Sequence, residues 1–265
     1  MKKYIVFLLL ISVSCKSRYH PPNKDSFLFH SEQTADDYAI QIKLPLSFNY
    51  TTAYSIIYVA DGLIGTGQYV LGVDSTWAAA IPGNCIVVAI GHPGKWEMKR
   101  RRDFIPSDAG GYKSENFGNA DKFYSFLKLE LIPFINRKVP NQKTKVFIGH
   151  SFSGLFSLYA ALRNEKLFDQ YFAISPSVWA NKKELLKIQK KFIGNNRDFD
   201  AGIHIYAGGL EQFNRVLPST KDFLKHLQEK NYKSLELSFE LIPWTNHYSV
   251  RKPAIDKILL ALSKQ

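Results

Sequence analysis

Ser151 has the clearest capacity for chemistry in this sequence, because it lies in a turn of the pattern Gly-x-Ser-x-small. The turn, at residues 149–153, follows the apolar run Val146-Phe147-Ile148 and precedes a segment from Leu155 to Leu162 that is apolar on nearly every face. A buried strand, a tight turn and a helix in this order lift a serine hydroxyl out of the packed layers, with helix N–H groups behind it. The pattern predicts that Ser151 is the nucleophile of a serine hydrolase.

A serine nucleophile requires a base, and three histidines follow Ser151 along the chain. His204 falls within a strand-like apolar run, and His226 falls on the polar face of a predicted helix. His247 falls in a predicted loop between the last strand and the last helix, although a loop histidine can also be an ordinary surface residue. Because the chain order expected for this kind of sheet is serine, acid, histidine, we expect His247 to be the base.

The acid that orients the base is expected in the loop after the predicted strand 203–207, where Glu211 is the first carboxylate. A glutamate in a first helical turn can instead be a solvated residue that the helix dipole favours. Asp222 is the second choice, but together with Ser219 it resembles a helix-capping pair. A serine–histidine pair without strong support from an acid also stays open.

The negative oxygen of an acyl-transfer intermediate requires two backbone N–H donors. One is expected from Phe152, the residue after the nucleophile. The other is expected from the loop Asp61-Gly62-Leu63, which follows a predicted strand, with the N–H of Leu63 or of a close neighbour pointing inward. Gly62 allows a tight backbone there.

The elements that must position these residues alternate between strand and helix from about residue 55 to the end. Residues 55–60 and 85–90 are continuous apolar runs rich in β-branched side chains, typical of parallel strands covered on both faces. Further strands are predicted over 38–44, 145–148, 168–175, 203–207 and 235–242. Helices are predicted over 68–81, over 120–139 with a kink at Pro133, and from Leu155, Pro218 and Pro253. We therefore expect an α/β fold with one mostly parallel central sheet, helices on both faces and no large cap domain.

The 265 residues are 45% hydrophobic and 22% charged, which is typical of one globular domain.

Residues 1–14 have the outline of a signal peptide, with Lys2 and Lys3 followed by a short apolar run. Cys15 follows directly and resembles the lipidated cysteine of a bacterial lipobox, although Ser12 stands where a larger aliphatic residue is usual. The alternative is an ordinary signal that is cleaved nearby. We expect a tether over 15–25, a domain over 26–265, and a protein exported to the periplasm or cell envelope, anchored to the membrane through Cys15.

The formal net charge is +12, but lysine and arginine are spread along the chain, with local runs only at 99–102 and 182–191. A solvated surface is the preferred interpretation, so no nucleic-acid partner is expected, while attraction to an anionic membrane surface or an acidic polysaccharide stays open.

Cys85, the second cysteine, lies in a strand-like run and is expected to be a buried, inert thiol. The pattern shows no Cys/His metal cluster, so we expect neither a metal ion nor another cofactor.

Taken together, these motifs resemble the putative esterases of the α/β-hydrolase superfamily, which are related to esterase D and to the enterobactin and salmochelin esterases. The resemblance covers most of residues 35–262. It rests on the segments Tyr58-Val59-Ala60-Asp61-Gly62, Arg102-Asp103-Phe104-Ile105-Pro106, Gly149 to Leu155, Ser175-Pro176-Ser177-Val178-Trp179 and Asn246-His247.

The resemblance implies that Ser151 is the nucleophile, that His247 is the base and that Glu211 occupies the acid position. It also implies that Trp179 borders the pocket for the acyl or leaving group, although a core tryptophan is the alternative. One residue departs from the pattern, because Ser153 stands where many relatives have glycine. We interpret it as a tolerated small residue, and we interpret Arg102 with Asp103 as a structural ion pair.

The expected function is that of an exported serine esterase that forms an acyl-enzyme. Its expected substrates are water-soluble esters, such as acylated carbohydrates or siderophore esters. An acyltransferase on the same fold is a second hypothesis, because only the acceptor differs. A non-catalytic binding lipoprotein is a third, although intact Ser151 and His247 argue against it.

Overall fold

The computed structural model describes residues 26–72, 81–107 and 118–265. The predicted signal peptide, the candidate lipidation site Cys15 and the tether lie outside the described residues. Within the described part of the chain, no helix combines the length and apolar character needed to cross a membrane.

Eight strands form one sheet in the order β1-β2-β4-β3-β5-β6-β7-β8. The strands are β1 (Ser26–Ser31), β2 (Asp36–Lys43), β3 (Tyr54–Ala60), β4 (Cys85–Gly91), β5 (Gln142–His150), β6 (Gln170–Ile174), β7 (Ala201–Gly208) and β8 (Leu235–Ile242). Strands β3 to β8 pair in parallel, whereas β2 is antiparallel to both β1 and β4. The predicted α/β fold with a mostly parallel sheet is confirmed. Strand β1, which forms a hairpin with β2, is an addition to the predicted set.

Helices cover both faces of this sheet, as predicted. They are α1 (Gly65–Leu71), α2 (Trp96–Phe104), α3 (Ala120–Phe126), α4 (Ile132–Lys138), α5 (Phe152–Leu162), α6 (Ala180–Asn195), α7 (Val216–Lys230) and α8 (Arg251–Leu262). Helices α1 and α8 pack against one face of the sheet, and the others pack against the opposite face. Along β3, Ile56 and Tyr58 point to the larger core, while Ile57 and Val59 point to the smaller one. This alternation explains why the central strands appear continuously apolar in the sequence.

Two predicted helices differ in detail from the structure, and residues 73–80 of the predicted helix 68–81 lie outside the described residues. Helix α1 begins at Gly65 and ends at Leu71, because Gly72 adopts a left-handed conformation (φ 65°) that terminates it. The predicted helix over 120–139 is interrupted by a π-helical turn, Leu127–Leu131, rather than by a simple kink at Pro133. The wider turn precedes the proline, whose ring would otherwise clash with the carbonyl group four residues earlier.

The predicted capping pair at the start of α7 is wrong. The helix begins at Val216, so Ser219 lies inside its first turn and donates its hydroxyl hydrogen to the backbone oxygens of Arg215 and Val216. The carboxylate of Asp222 pairs with Lys183 of α6 at 3.0 Å. The sequence alone places the start of α7 too late, at Pro218. Proline is tolerated throughout the first turn of a helix, because the backbone N–H groups there have no partner within the helix, so Pro218 does not mark the first residue.

A buried cluster of charged side chains fixes α2 to the sheet. Asp103 is fully buried and receives bonds from the Tyr38 hydroxyl (2.7 Å), His92 Nε2 (3.0 Å) and the Arg102 guanidinium. Arg102 also pairs with Asp36 at 2.7 Å. Burial by itself would raise the pKa of Asp103, but its bonds from His92 and Arg102 hold the pKa below its usual value. The ion pair of Arg102 with Asp103 is therefore structural in its geometry.

Candidate active site

Ser151 lies between the end of β5 and the start of α5, at φ 62° and ψ −115°. This conformation is sparsely populated for a residue with a side chain, and it persists only where the surroundings enforce it. Gly149 is required in the same turn, because a Cβ atom there would lie 2.1 Å from the backbone oxygen of Ser153. The backbone N–H of Ser151 donates to the oxygen of Ile174 in the adjacent strand β6, at 3.0 Å. The turn thus presents the serine hydroxyl at the carboxyl edge of the sheet.

The His247 ring lies between the Ser151 hydroxyl and the Glu211 carboxylate. Its Nε2 atom is 3.0 Å from Ser151 Oγ, and its Nδ1 atom is 2.7 Å from Glu211 Oε1. Because an ionised carboxylate only accepts, Nδ1 carries the hydrogen and donates it to Glu211. The Nε2 lone pair is then free to accept the hydroxyl hydrogen of Ser151. The structure therefore brings the three predicted residues together in the geometry of a catalytic triad.

Glu211 is fully buried at the start of a short 3₁₀ turn, Gly209–Phe213, that follows β7. Besides the His247 ring, the Ser175 hydroxyl (2.6 Å) and the backbone N–H of Gly208 (2.7 Å) donate to its Oε2 atom. A buried carboxylate is tolerable only when its oxygens are satisfied in this way. The second-choice acid, Asp222, is half-exposed on α7 and is bonded to Lys183 instead.

His150, the residue before the nucleophile, holds the loop that carries His247. Its Nε2–H donates to the backbone oxygen of His247 at 2.7 Å, and the two imidazole rings are 4.7 Å apart. Burial lowers the pKa of His150 well below its usual value, and the neighbouring His247 adds to the effect. His150 is therefore neutral and acts as a donor to the loop. Sequence reasoning missed this role, since the residue between Gly149 and Ser151 was treated only as part of the turn.

A second hydroxyl lies beside the nucleophile and was also missed. Ser177 Oγ is 3.2 Å from Ser151 Oγ, and the backbone N–H of Ser177 donates to the Ser151 carbonyl at 3.0 Å. Ser177 belongs to the segment Ser175-Pro176-Ser177 that follows β6, next to β5 in the sheet. The position of this segment after a predicted neighbouring strand was the available signal. Ser175 bonds Glu211 and Ser177 contacts Ser151, so one short segment contacts two of the three predicted triad residues.

Ser153, the departure from glycine at the turn, is fully buried and forms specific bonds. Its hydroxyl lies 2.9 Å from Asp61 Oδ2, and it also bonds the backbone oxygen and N–H of His150, each at 2.8 Å. Asp61 has a positive φ of 63° and accepts two hydrogen bonds from Arg100, from Nε at 2.5 Å and from Nη2 at 3.0 Å. Ser153 thus ties the nucleophile turn to the loop that was predicted to supply an oxyanion donor.

The cavity over Ser151 has a volume of about 390 Å³. Its described lining residues are Asp61, Ile64, Gly65, Thr66, Trp96, Glu97, Arg100, His150, Ser151, Phe152, His247, Tyr248 and Arg251. Larger hollows of about 630 and 570 Å³ lie elsewhere on the surface and contain no triad residue. Of these three cavities, it is the one that Ser151 and His247 line.

The two predicted oxyanion donors differ in their position relative to this cavity. Phe152 lines it directly beside Ser151, whereas Leu63 is not among its described lining residues and Gly65 is. In the same loop the N–H of Gly62 donates to Ile90 (2.9 Å) and that of Ile64 donates to Asp61 (3.0 Å). Those two backbone donors are already used.

Trp179, the predicted pocket residue, is also not among the described residues that line the cavity. Its ring lies 6.3 Å from the ring of Phe152 and packs against the larger core. Trp96, at the start of α2, lines the cavity instead. Because α2 is short and its sequence is strongly charged, the pattern gave no signal that its first residue faces the site.

The remaining candidates lie away from the site. His204 stacks on Phe172 and bonds Ser238, and His226 bonds Gln189. Cys85 is a free, buried cysteine, and burial raises the pKa of its thiol to about 11. A thiol in this state is a poor nucleophile.

Comparison with known protein families gives one match that covers most of the chain. The sequence model of the family described as "Putative esterase" matches residues 31–238. Among curated proteins, the siderophore triacetylfusarinine C esterase of Aspergillus fumigatus is 29% identical over 184 residues, which cover 65% of this chain and 62% of that protein. The ferri-bacillibactin esterase BesA of Bacillus subtilis is 25% identical over 258 residues, covering 90% and 89% of the two chains.

The chain spans slightly less than two thirds of two fungal relatives, 62% of the Aspergillus fumigatus protein and 66% of the siderophore enterobactin esterase of Emericella nidulans. Among solved structures, the siderophore hydrolase EstA from Aspergillus nidulans superposes with a TM-score of 0.76 at 21% identity, covering 90% of this chain and 93% of that one. The BES protein from Bacillus cereus superposes with a TM-score of 0.74 at 24% identity, covering 92% and 97%. These superpositions show that this chain has the same fold as EstA and the BES protein.

Proposed function

This chain belongs to the "Putative esterase" family, and from that membership and the geometry around Ser151 we propose that it is an exported serine esterase. It hydrolyses carboxylic esters through an acyl-enzyme on Ser151. The observation that carries the proposal is the position of His247, with one ring nitrogen 3.0 Å from the Ser151 hydroxyl and the other 2.7 Å from Glu211.

In the first half of the proposed reaction, His247 Nε2 takes the hydroxyl hydrogen as Ser151 Oγ attacks the ester carbonyl carbon. The carbonyl π electrons move to oxygen, which becomes negative, and the imidazole becomes a cation. Glu211 stabilises that cation through Nδ1–H, because its charge is buried and held by three donors. When the intermediate collapses, the C–O bond to the alcohol breaks, and Nε2–H protonates the departing oxygen.

In the second half, water takes the place of the alcohol. His247 removes a proton from that water, the resulting hydroxide attacks the acyl carbon, and Ser151 leaves with the proton returned by Nε2–H. We assign one oxyanion donor to the N–H of Phe152 and the second to the loop 61–65. Leu63 was the predicted residue there, and Gly65 is the neighbour that lines the cavity.

We propose a siderophore ester as the substrate, because two curated relatives are named siderophore esterases and a third is named a ferri-bacillibactin esterase. Acylated carbohydrates remain the comparison class. Export, with residues 1–14 as the signal peptide and a lipid anchor on Cys15, is proposed from the sequence pattern alone.

The decisive test compares Ser151→Ala with the wild-type chain and with Ser125→Ala as the matched control, since Ser125 is a half-buried serine of α3 whose hydroxyl bonds the backbone oxygen of Asp121. The full chain, in non-ionic detergent, is offered p-nitrophenyl acetate, an acetylated sugar and a ferric trilactone siderophore. We expect hydrolysis to fall to background in Ser151→Ala only, with an unchanged melting temperature. We also expect a fluorophosphonate probe to label every form except Ser151→Ala.

Turnover retained in Ser151→Ala would remove this serine from the mechanism. Failure of the probe to label the wild type, under conditions that label a known esterase, would favour a non-catalytic binding protein. An acyltransferase would release more ester product than free acid when an alcohol acceptor is added.

A further inference from the structure

Arg251, the first residue of α8, lines the cavity over Ser151. Its Nε–H donates to the backbone oxygen of Tyr248 at 3.0 Å. Its guanidinium carbon lies 5.2 Å from the centre of the Tyr69 ring and 5.7 Å from that of Tyr248. No carboxylate among the described residues forms an ion pair with it, in contrast to its neighbour Lys252, which pairs with Asp256 at 2.7 Å.

The charge of Arg251 differs from the other charges at the cavity because no neighbouring charge offsets it among the described residues. Among the described residues that line the cavity, four carry charged side chains, namely Asp61, Glu97, Arg100 and Arg251. Arg100 holds Asp61 through two hydrogen bonds, so these two charges offset each other. Glu97 is exposed on α2, where water screens its charge. Among the described residues that line the cavity, Arg251 is therefore the cation that no carboxylate pairs with, and its outer N–H groups can donate to a bound molecule.

Arg251 shares the lining of this cavity with Ser151 and His247. A methyl group added at Gly65, the first residue of α1, would lie 2.5 Å from Arg251 Nη1. The positive charges of Arg251 and Arg100 are felt by His150, where they add to the effect of burial and of His247 in lowering the pKa of that ring. The guanidinium thus lies at the wall of the cavity, on the side of the loop 61–65.

Two tyrosine rings restrict the orientation of the guanidinium before any ligand binds. Arginine presents a planar set of donors that matches a carboxylate or another bidentate anion, and stacking on aromatic faces reduces the entropy lost on binding. A side chain held in this way, with no carboxylate partner in the described part of the chain, is suited to recognise a negative group on the substrate.

We propose that Arg251 is a specificity-determining residue that binds an anionic group of the ester, such as a carboxylate, while Ser151 attacks the carbonyl carbon. The inference rests on the proposed esterase function and narrows its substrate class to esters that carry a negative charge near the reacting carbonyl. Glu97 opposes such a charge only weakly from its exposed position.

The test uses two matched pairs of esters. On the acyl side, p-nitrophenyl hemiglutarate is compared with p-nitrophenyl hexanoate, and on the alcohol side, 3-acetoxybenzoate is compared with 3-acetoxybenzamide. The readout is the ratio of kcat/KM for the anionic ester to that for the neutral one. This ratio is measured in wild type, Arg251→Gln, Arg251→Lys and the adjacent control Lys252→Gln, with spontaneous hydrolysis subtracted.

We expect the ratio in at least one pair to fall about tenfold in Arg251→Gln, as for the loss of one charge-assisted contact. We expect Arg251→Lys to recover part of the ratio and Lys252→Gln to keep the wild-type ratio. The KM of the preferred anionic ester should rise between 0.01 M and 0.5 M salt, because screening weakens the contact.

An unchanged ratio in Arg251→Gln for both pairs would overturn the inference while leaving the esterase function intact, since the neutral esters report that function separately. An equal fall in Lys252→Gln would attribute the effect to general surface charge and would also overturn it. If wild type hydrolyses no ester and the fluorophosphonate probe does not label it, the proposed function and this inference fail together.

Discussion

Glutamine at position 211 would keep the shape of the buried acid while replacing one acceptor oxygen with an NH2 group. Three donors now converge on Glu211, from His247, Ser175 and Gly208. If the glutamine oxygen faces His247, its NH2 group meets the backbone N–H of Gly208, which cannot turn into an acceptor. If the NH2 group faces His247, the ring must take the tautomer with the hydrogen on Nε2, and that nitrogen cannot accept the proton of Ser151.

Both arrangements cost activity, and one of them also costs stability. Without the negative charge beside Nδ1, the imidazolium formed in the transition state loses its partner, so we expect kcat/KM to fall about 10³-fold, or roughly 4 kcal/mol. The donor–donor contact at Gly208 adds about 1–3 kcal/mol of destabilisation, which lowers the melting temperature by roughly 2–10 °C for a domain of this size. KM should change little, because Glu211 is fully buried and is not among the cavity-lining residues.

The assay is steady-state hydrolysis of p-nitrophenyl acetate alongside thermal unfolding. Glu229→Gln, an exposed glutamate of α7, is the matched control and should behave as wild type. His247→Ala should lose more activity than Glu211→Gln, because it removes the base itself. A Glu211→Gln variant with kcat/KM within about tenfold of wild type would refute the assignment of Glu211 as the acid and would point to a serine–histidine pair.

Ser153→Ala removes the hydroxyl that bonds Asp61 and the His150 backbone. We expect the free energy of unfolding, measured in urea, to fall by about 1–3 kcal/mol and kcat to fall several-fold. Unchanged values in both measurements would show that only the small size of Ser153 matters, and not its hydroxyl. His150 has a lowered pKa in the folded protein, so only the unfolded chain binds a proton as the pH falls below about 6.5. The free energy of unfolding should therefore decrease on acidification below that pH, by at most about 1.4 kcal/mol per pH unit from this residue. His150→Gln should show a shallower decrease in urea midpoints between pH 7 and pH 5, and an equal slope would contradict the reasoning.

The nucleophile turn and the order of the triad could be predicted because they depend on local pattern. The apolar run 146–148 and the glycine at 149 specify a strand that ends in a tight turn. In a parallel sheet, strands β5, β7 and β8 then end at the same edge, which is why Ser151, Glu211 and His247 could be placed near one another without coordinates.

The supporting residues could not be predicted in the same way, because their roles depend on which strands are neighbours. Ser175 and Ser177 reach the triad only because β6 lies beside β5, and the Ser153 hydroxyl finds Asp61 only because β3 lies on the other side. The contacts of Arg251 with Tyr69 join two helices that are far apart in the sequence. Neither hydrophobic periodicity nor a local motif indicates which strands are neighbours or which helices are in contact.

Strand β8 is the last strand of the sheet and carries His247 in the loop that follows it. An open strand of this kind offers unpaired backbone groups to another chain, which is a route to aggregation. Here Glu236 and Glu240 are exposed along the strand, and Lys257 of α8 pairs with Glu240 at 2.8 Å. These charges disfavour the approach of a second β-strand. The charged side chains that keep this edge in water thus also disfavour a second chain that would displace the strand preceding His247, the proposed base.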